Sequence, residues 1–511
     1  MPTTRFSTSL PALTLSVLTA VTTLTAAGQA EAFSIDDVTA RAEALSREEY
    51  TDHRASVPKW MLVGSMSYDQ WRDIRFNPER SLWRKEGLPF QLQFFHPGLY
   101  YDRTIAVHTV DGSGPRPLPF DIQSFDYGKN DFASRIPKDV GYAGIRVHAP
   151  LRNPQYFDEL IVFLGATYFR GLGRDNVYGL SARGIAVNTV DPGGEEFPHF
   201  AEFWIETPAT DAKNLVVHAL MEGPSITGAY RFDIQPGEKT VVGVEARLFP
   251  RKPIKKLGIA PLTSMFFFGE SSRRRFDDFR PEVHDSDGLL LHFDSGEWLW
   301  RPLDNPVHVS ASGLAMKHPR GFGLLQRDRA FANYQDLETR EELRPSAWVE
   351  PRGDWGKGRV ELVEIPSDTE LVDNMVAYWV PDEAVKPGKR FDFSYNVSFY
   401  MDDASQSPGG RVLATRQDGG AKGDTNRFVL DFGGKELNAL PDDKAPQAEI
   451  SLAPAAAGEL LDHYVVRNPD TGGWRLSFQL TRKTDAPIEL RAFLKKGKAA
   501  MTETWSYALI K

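Results

Sequence analysis

The chain has 511 residues, of which 41% are hydrophobic and 25% are charged, and its formal net charge at pH 7 is −9. This composition is typical of a globular protein, and the length predicts two or three domains of about 150 residues each. The negative charge argues against a nucleic-acid partner, because binding to a polyanion requires clustered Lys and Arg side chains. The chain contains no cysteine, so its stability must come from its core and sheets rather than from disulfides.

The amino terminus has the pattern of a secretory signal peptide. Arg5 precedes an apolar run from Pro11 to Ala27, and Ala30-Glu31-Ala32 is a small-x-small cleavage pattern. We therefore expect a signal peptide over residues 1–32, with cleavage after Ala32. An exported protein without cysteine fits the bacterial periplasm best, and no later apolar run is long enough for a membrane anchor.

The mature chain is expected to open with one helix and then to become mainly β. Ser34 is a good N-cap and Asp37 completes a capping-box pair, which predicts a helix to about Leu45. Short apolar or alternating runs follow, and they are punctuated throughout by Gly and Pro. The predicted fold class is therefore mainly β, with a large antiparallel β-sandwich domain over residues 33–385. The runs that indicate its strands include Phe90–Phe94, Leu160–Leu164 and Ala201–Glu206.

A polar, turn-rich stretch from Pro381 to Gly388 indicates a domain boundary. Alternation of apolar and polar residues restarts at Phe391, and six or seven strands can be drawn from there to the end of the chain. This spacing predicts a smaller immunoglobulin-like β-sandwich domain over residues 386–511. Within it, Asp402 to Asn426 is predicted to be a long, mostly polar loop.

Several short motifs are interpreted as structural. Gly171-Leu172-Gly173 lacks the third glycine of a dinucleotide fingerprint, and Asp285-Ser286-Asp287-Gly288 lacks the first ligand of an EF-hand loop. His284 is interpreted as a structural hydrogen-bond partner, since no H-x-x-x-H pair accompanies it. Ser181 has only one of the two glycines of a nucleophile elbow. We therefore expect no cofactor and no metal.

Two aspartates and several tryptophans in one part of the chain fit a sugar site. A glycosidic bond is cleaved by one carboxyl group as acid while a second activates water or attacks, and Asp285 and Asp373 are the candidates. Trp298 and Trp300 would share one face of a strand, and Trp355 lies between glycines in a predicted loop, where it could stack on a pyranose ring. The aspartates could instead organise turns, and each tryptophan could belong to the core. Composition and spacing leave these alternatives open.

Longer strings carry a resemblance to a known family. They include GLSARG (179–184), GEEFPHFAEFWIE (194–206), LGIAPLTSMFFFG (257–269), PEVHDSDGL (281–289), LRPSAWVEPRGDWGKGRVELVEIP (343–366) and DNMVAYW (373–379). These strings resemble the bacterial periplasmic glucan biosynthesis proteins OpgG and OpgD, also called MdoG and MdoD, and the resemblance covers essentially all of the mature chain. The single Arg5 lacks the twin-arginine signal frequent in OpgD-type chains, which favours the OpgG type.

The resemblance implies a large β-sandwich joined to an immunoglobulin-like domain, and an inverting endo-acting enzyme or transglycosylase on β-1,2-glucan. Asp373, in DNMVAYW, resembles the general acid of the family. Asp285, in HDSDG, resembles its general base, which acts through a proton relay. Because Asp373 must stay protonated near neutral pH, burial beside Tyr378 and Trp379 is expected to raise its pKa.

The expected partners are β-1,2-linked glucan and an inner-membrane glucan glucosyltransferase. Trp298, Trp300, Trp355 and Arg344 are the candidate substrate-binding residues. An alternative of another class is a non-catalytic glucan-binding scaffold that assists the membrane glucosyltransferase, for which both aspartates would be dispensable. A third is a secreted glycosidase with a different range of substrates.

Overall fold

The computed structural model describes residues 1–4, 32–52, 57–273, 276–403, 405–419 and 425–510. The charged start and the apolar run of the predicted signal peptide lie outside these residues. The chain divides into two units, Met1–Ala32 and Phe33–Lys511, and the second contains all the elements below. Within the described part of the chain, no helix is long and apolar enough to span a membrane.

The first helix, α1 (Ile35–Leu45), begins where the capping box predicts. The Ser34 hydroxyl accepts the Asp36 N–H at 3.2 Å, and the Asp37 carboxylate accepts the Ser34 N–H at 2.7 Å. Val38 and Ala42, one turn apart, are buried against a sheet surface. The other α-helices are α2 (Tyr68–Arg72), α3 (Phe331–Tyr334) and α4 (Lys435–Asn438), and the 3₁₀ turns are Lys59–Met61, Pro78–Arg80, Ile122–Ser124, Ala133–Arg135, Glu341–Leu343, Asp442–Lys444 and Ala455–Ala457.

The remaining elements are strands. The first half of the chain contains β1 (Arg75–Phe76), β2 (Gln91–Phe95), β3 (Ala106–Asp111), β4 (Gly114–Pro117), β5 (Phe125–Asp126), β6 (Gly144–Pro150), β7 (Phe157–Leu164), β8 (Tyr168–Gly171), β9 (Ser181–Arg183), β10 (Ile185–Val187), β11 (His199–Glu206), β12 (Leu215–Glu222), β13 (Ile226–Gln235), β14 (Thr240–Pro250) and β15 (Leu257–Ser264). The second half contains β16 (Phe266–Phe268), β17 (Val283–His284), β18 (Gly288–His292), β19 (Trp298–Pro302), β20 (Ser310–Lys317), β21 (Gly321–Leu325), β22 (Ser346–Arg352), β23 (Lys357–Glu364), β24 (Met375–Pro381), β25 (Phe391–Tyr400), β26 (Arg411–Asp418), β27 (Thr425–Gly433), β28 (Gln447–Ala453), β29 (Gly458–Arg467), β30 (Trp474–Arg482), β31 (Ile488–Lys496), β32 (Ala499–Ala500) and β33 (Thr504–Leu509).

These strands form two large sheets and several small ones. A ten-stranded sheet has the order β2-β6-β7-β8-β9-β15-β24-β23-β20, with β10 paired to β15. A fifteen-stranded sheet has the order β28-β31-β33-β19-β18-β21-β22-β25-β14-β13-β12-β11-β3-β4, with β32 paired to β31. A four-stranded sheet, β26-β27-β30-β29, and the pairs β1-β5 and β16-β17 complete the set. The mainly β prediction with antiparallel sheets is confirmed.

Two hydrophobic cores lie on opposite faces of the fifteen-stranded sheet. The first core lies between the fifteen-stranded and the ten-stranded sheet. Leu92 and Phe163 enter it from the ten-stranded sheet, and Phe232 enters it from the fifteen-stranded sheet. The second joins its β31-β33-β19-β18-β21 end to the four-stranded sheet. In β18, Leu289 and Leu291 point into the first core and Leu290 into the second, as the period of two in a strand requires. This part of the sheet is therefore buried on both faces.

The carboxyl-terminal part of the chain bears on two sequence predictions, the polar loop and the domain boundary. The prediction of a loop from Asp402 to Asn426 is wrong in its middle, where β26 pairs with β27 and buries Val412 and Ala414 on either side of the exposed Leu413. The division after residue 385 stays a prediction. Strand β25, which the sequence places beyond that division, pairs with β14 and β22 within the fifteen-stranded sheet.

Candidate functional site

The two candidate aspartates are anchored at the same place, the carboxyl-terminal end of β15. The Asp285 backbone N–H donates to the Met265 carbonyl at 2.8 Å. The N–H of Asn374, the residue after Asp373, donates to the Ser264 carbonyl at 3.0 Å. Because neighbouring residues hold both chain segments, the fold brings together the backbones of two aspartates that lie far apart in the sequence.

Asn374 fixes the backbone that carries Asp373. Its side chain is buried, and its amide accepts the Phe266 N–H at 2.8 Å and donates to the Phe266 and Ile365 carbonyls, each at 3.0 Å. A buried amide with all these bonds made holds the chain in a single arrangement. The backbone at Asp373, two residues before β24, is therefore held firmly in place.

Arg344 joins the two aspartates electrostatically. Its Nη1 donates to Asp285 Oδ1, and the Arg344 and Asp285 side chains are only 16% and 6% exposed. Burial lowers the pKa of Arg344 to about 10, against the opposing charges of Glu370 and Asp373. Arg344 was predicted to bind substrate, and the structure places it as the ion-pair partner of Asp285 and a neighbour of Asp373.

The Asp373 carboxyl group has the electrostatics expected of an acid. Burial raises its pKa, and the Arg170 and Arg344 cations oppose that rise. Its Oδ2 lies 3.9 Å from Arg170 Nη2, and its side chain is still 27% exposed, so a ligand can reach it. The expected direction of the pKa shift is confirmed, but its expected cause is wrong in one respect. Tyr378 and Trp379 lie further along β24, at about 3.3 Å per residue, and are not beside Asp373.

Arg170 and Tyr168 belong to the site although the sequence analysis did not select them. They alternate with buried Phe169 on β8 and so point away from the first core. Arg170 Nε donates to the Ser181 hydroxyl at 2.6 Å, and the charge of Asp373 raises the pKa of Tyr168 in addition to the larger effect of burial. The aromatic-apolar-cationic alternation of Tyr-Phe-Arg is the signal that could have identified this polar outer face.

An aromatic recess of about 210 Å³ lies next to this face, at the turn between β7 and β8. Tyr101 and Phe197 contribute to its wall, and Tyr100 is 71% exposed at its edge. Burial raises the pKa of Tyr101, and Arg170 opposes this rise, so the recess and Asp373 have Arg170 as a common neighbour. Exposed aromatic rings beside a carboxyl group are suited to stacking against pyranose rings.

The tryptophans predicted to bind substrate are packed elsewhere. Trp298 and Trp300 do share a face of β19, but this face covers the second core. Trp300 is 4% exposed under the Arg327 guanidinium, and Trp298 stacks on His292 with 4.0 Å between ring centroids. A strand buried on both faces has no free face for a sugar platform, so these rings are explained by the core.

Trp355 lies in a loop between β22 and β23, as predicted, but it is a core residue and is not presented to a partner. It is 6% exposed, and its Nε1 donates to the Ser394 carbonyl at 3.2 Å. Gly353 and Gly356 adopt positive φ angles of 84° and 71°, which turn the chain so that the ring between them points inward. The Trp355 ring packs against Phe393, so its position is explained by the core and requires no bound ligand.

Next to Asp285, His284 is held by hydrogen bonds. Ligand atoms of Glu282, His284 and Asp287 lie within 4.8 Å of one another, a spacing that could hold a metal ion. However, His284 Nδ1 lies 2.9 Å from Gln326 Oε1 and Nε2 lies 2.9 Å from the Glu282 carboxylate. Burial alone would lower the pKa of His284, but the Asp287 and Glu282 carboxylates outweigh it and raise this pKa to about 9. Both ring nitrogens thus have a hydrogen-bond partner within the protein, and the raised pKa favours the imidazolium form, which donates on both sides.

Comparison with known proteins identifies the family of this chain. The family model described as periplasmic glucan biosynthesis protein, MdoG, matches residues 33–509. A relative named glucans biosynthesis protein G from Ralstonia nicotianae is 47% identical over 497 residues, covering 95% of this chain and 98% of the relative. Relatives of the same name from Shewanella frigidimarina and Pseudomonas paraeruginosa are 45% and 43% identical, covering 93% and 94% of this chain and 84% and 93% of their own. The resemblance found in the sequence is thereby confirmed, and the chain belongs to the MdoG family of periplasmic glucan biosynthesis proteins.

Proposed function

We propose that this protein acts in periplasmic glucan biosynthesis by cleaving or rearranging the β-1,2-glucan backbone, with Asp373 as general acid and Asp285 as general base. One observation carries the proposal. Two carboxyl groups anchored on one segment have opposite environments, since burial raises the pKa of Asp373 while Asp285 is ion-paired with Arg344. Pairs of carboxyl groups that differ in this way divide the roles of acid and base.

Asp373 is suited to protonate the departing glycosidic oxygen. A raised pKa keeps the carboxyl group protonated at higher pH than a solvated aspartate, and the partly exposed side chain can reach a ligand. The nearby Arg170 cation would stabilise the carboxylate that forms once the proton has left.

Asp285 is suited to receive a proton at the end of a relay. At 4% exposure, with one carboxylate oxygen bonded to Arg344, it has little surface for a nucleophilic water of its own. A proton taken from water on the far side of the sugar would therefore reach it through intervening groups. This agrees with an inverting mechanism, in which a base activates water rather than attacking the sugar.

The substrate class follows from the family and from the aromatic recess. Relatives named glucans biosynthesis protein G support a periplasmic glucan as substrate, and the recess wall formed by Tyr101 and Phe197 offers rings for stacking. The β-1,2 linkage, a periplasmic location and an inner-membrane glucosyltransferase as partner are parts of the same proposal.

A panel of linear glucans tests the proposal directly. We expect the purified protein to shorten or rearrange β-1,2-glucan, followed by chromatography, and to leave β-1,3- and β-1,4-glucans of similar length unchanged. An inverted anomer in the initial product, detected by NMR, would support the acid–base assignment. Binding of β-1,2-glucan without any change in its length would instead favour the glucan-binding scaffold.

Arg170 provides a test of the acid through pH. Because Arg170 opposes the rise in the Asp373 pKa, its replacement in Arg170→Met should raise that pKa further. The acid is active when protonated, so the alkaline limb of the kcat/KM profile should move to higher pH. Arg390→Met, which removes a half-exposed partner of Asp392, is the matched control and should leave the limb in place. A limb that moves to lower pH in Arg170→Met would contradict the assignment.

A further inference from the structure

We infer that Arg280 is a positioning residue that holds together the three chain segments carrying Asp285, Arg344 and Asp373. The inference rests on the proposed function for its catalytic consequence. Its structural content, a single guanidinium that ties three segments in place, can be tested without any substrate.

The contacts of Arg280 reach all three segments. Its Nε and Nη2 bond both oxygens of Asp278, at 3.0 and 2.7 Å, on the segment that continues to Asp285. Its Nη1 donates to Asp336 Oδ2 at 3.1 Å and lies 3.9 Å from Glu341 Oε1, on the segment that leads to Arg344. Its Nη2 also lies 2.7 Å from Glu370 Oε2, three residues before Asp373.

The geometry suits arginine alone. The bidentate pair with Asp278 fixes the plane of the guanidinium, and the planar fork then directs its remaining N–H groups at the carboxylates of two other segments. A lysine would offer one point charge in place of this fork. The side chain is only 10% exposed, so these bonds are shielded from solvent and salt.

The charge balance explains why the segments depend on Arg280. One cation faces the four carboxylates of Asp278, Asp336, Glu341 and Glu370, and Glu341 is almost fully buried. The hydrogen bonds that Arg280 donates to the Asp278 carboxylate raise the pKa of Arg280 and lower the pKa of Asp278, so both stay charged. Without the cation, like charges from three segments would face one another.

Glu370 links this cluster to the proposed site. It contacts Arg280 directly, and its charge also acts on Arg344, the partner of Asp285. A shift of Glu370 would thus be transmitted to Arg344 and, three residues along the chain, to Asp373. Arg280 itself contacts neither Asp285 nor Asp373 in the described structure, so its role is positioning.

Hydrogen–deuterium exchange on the intact protein without glucan tests the inference. The variants are Arg280→Met and Arg280→Lys, and the control is Arg84→Met, which breaks an exposed ion pair with Glu79. We expect faster exchange in residues 328–344 and 366–374 of Arg280→Met, unchanged exchange in β12 to β14, and partial recovery in Arg280→Lys. On β-1,2-glucan, kcat should fall about 10²-fold with little change in KM, since misplaced groups lose turnover before binding.

Two outcomes would overturn the inference: wild-type exchange in both segments, or a uniform rise over the whole chain, which would assign Arg280 to global stability. If Arg280→Met does not fold, Glu370→Gln removes one link and should raise exchange in residues 366–374 alone. If the wild-type protein shows no turnover, the proposed function fails, whereas the exchange result still decides whether Arg280 holds the segments.

Discussion

Replacement of Asp373 by asparagine should reduce turnover of β-1,2-glucan by about 10³-fold or more while glucan binding is retained. Asparagine keeps the size of the side chain but cannot give up a proton to the glycosidic oxygen, and loss of a general acid typically costs 10²- to 10⁴-fold. The backbone should stay in place, because the anchoring bonds belong to Asn374. Initial rates by chromatography and affinity by calorimetry check the two halves of this prediction.

Asp382→Asn, at the opposite end of β24, is the matched control for Asp373→Asn and should behave as wild type. In the wild-type protein, kcat/KM should fall as the pH rises through the pKa of Asp373, since only the protonated form is active. This fall should begin above the pH at which a solvated aspartate would lose its proton, because burial raises that pKa. Full turnover in Asp373→Asn would remove Asp373 as the acid and would favour the scaffold.

Local patterns in the sequence predicted the elements well. The capping box at Ser34 and Asp37 located α1, and runs such as Leu160–Leu164 fell within strands, because caps and alternation are properties of neighbouring residues. The tryptophans were misassigned for a physical reason. Alternation shows which residues share a face of a strand, but not whether that face meets solvent, and β19 is covered on both faces.

The site depends on contacts that no local pattern contains. The segments that carry Asp285 and Asp373 are neighbours because both bond to the end of β15, and Arg344 comes from a third part of the sequence. The resemblance pointed to the aspartates, whereas their common anchor and the neighbouring Arg170 are products of sheet register. The polar outer face of β8 was visible as alternation in Tyr168-Phe169-Arg170, but its proximity to Asp373 was not.

Replacement of Asp285 by asparagine should lower turnover by about 10²- to 10⁴-fold and also destabilise the fold. The second effect arises because Asp285→Asn leaves the Arg344 guanidinium buried without its counter-ion. Breaking one side of a buried ion pair costs about 3–5 kcal/mol, and we expect about 3 kcal/mol or less because Arg344 keeps 16% exposure and the neighbouring Asp373 and Glu370 charges. Urea unfolding and initial rates on β-1,2-glucan measure the two effects.

A double-mutant cycle separates the chemical role of Asp285 from its structural one. Arg344→Met should also destabilise the protein, since it leaves the Asp285 carboxylate buried without a partner. The double variant Asp285→Asn/Arg344→Met should be less destabilised than the sum of the single changes, because no unpaired charge remains at the pair. Its turnover should nevertheless stay as low as that of Asp285→Asn, because a base cannot be restored by repairing the fold. Recovery of turnover together with stability would show that Asp285 serves only to balance the buried charge of Arg344, and the base would then have to be another group.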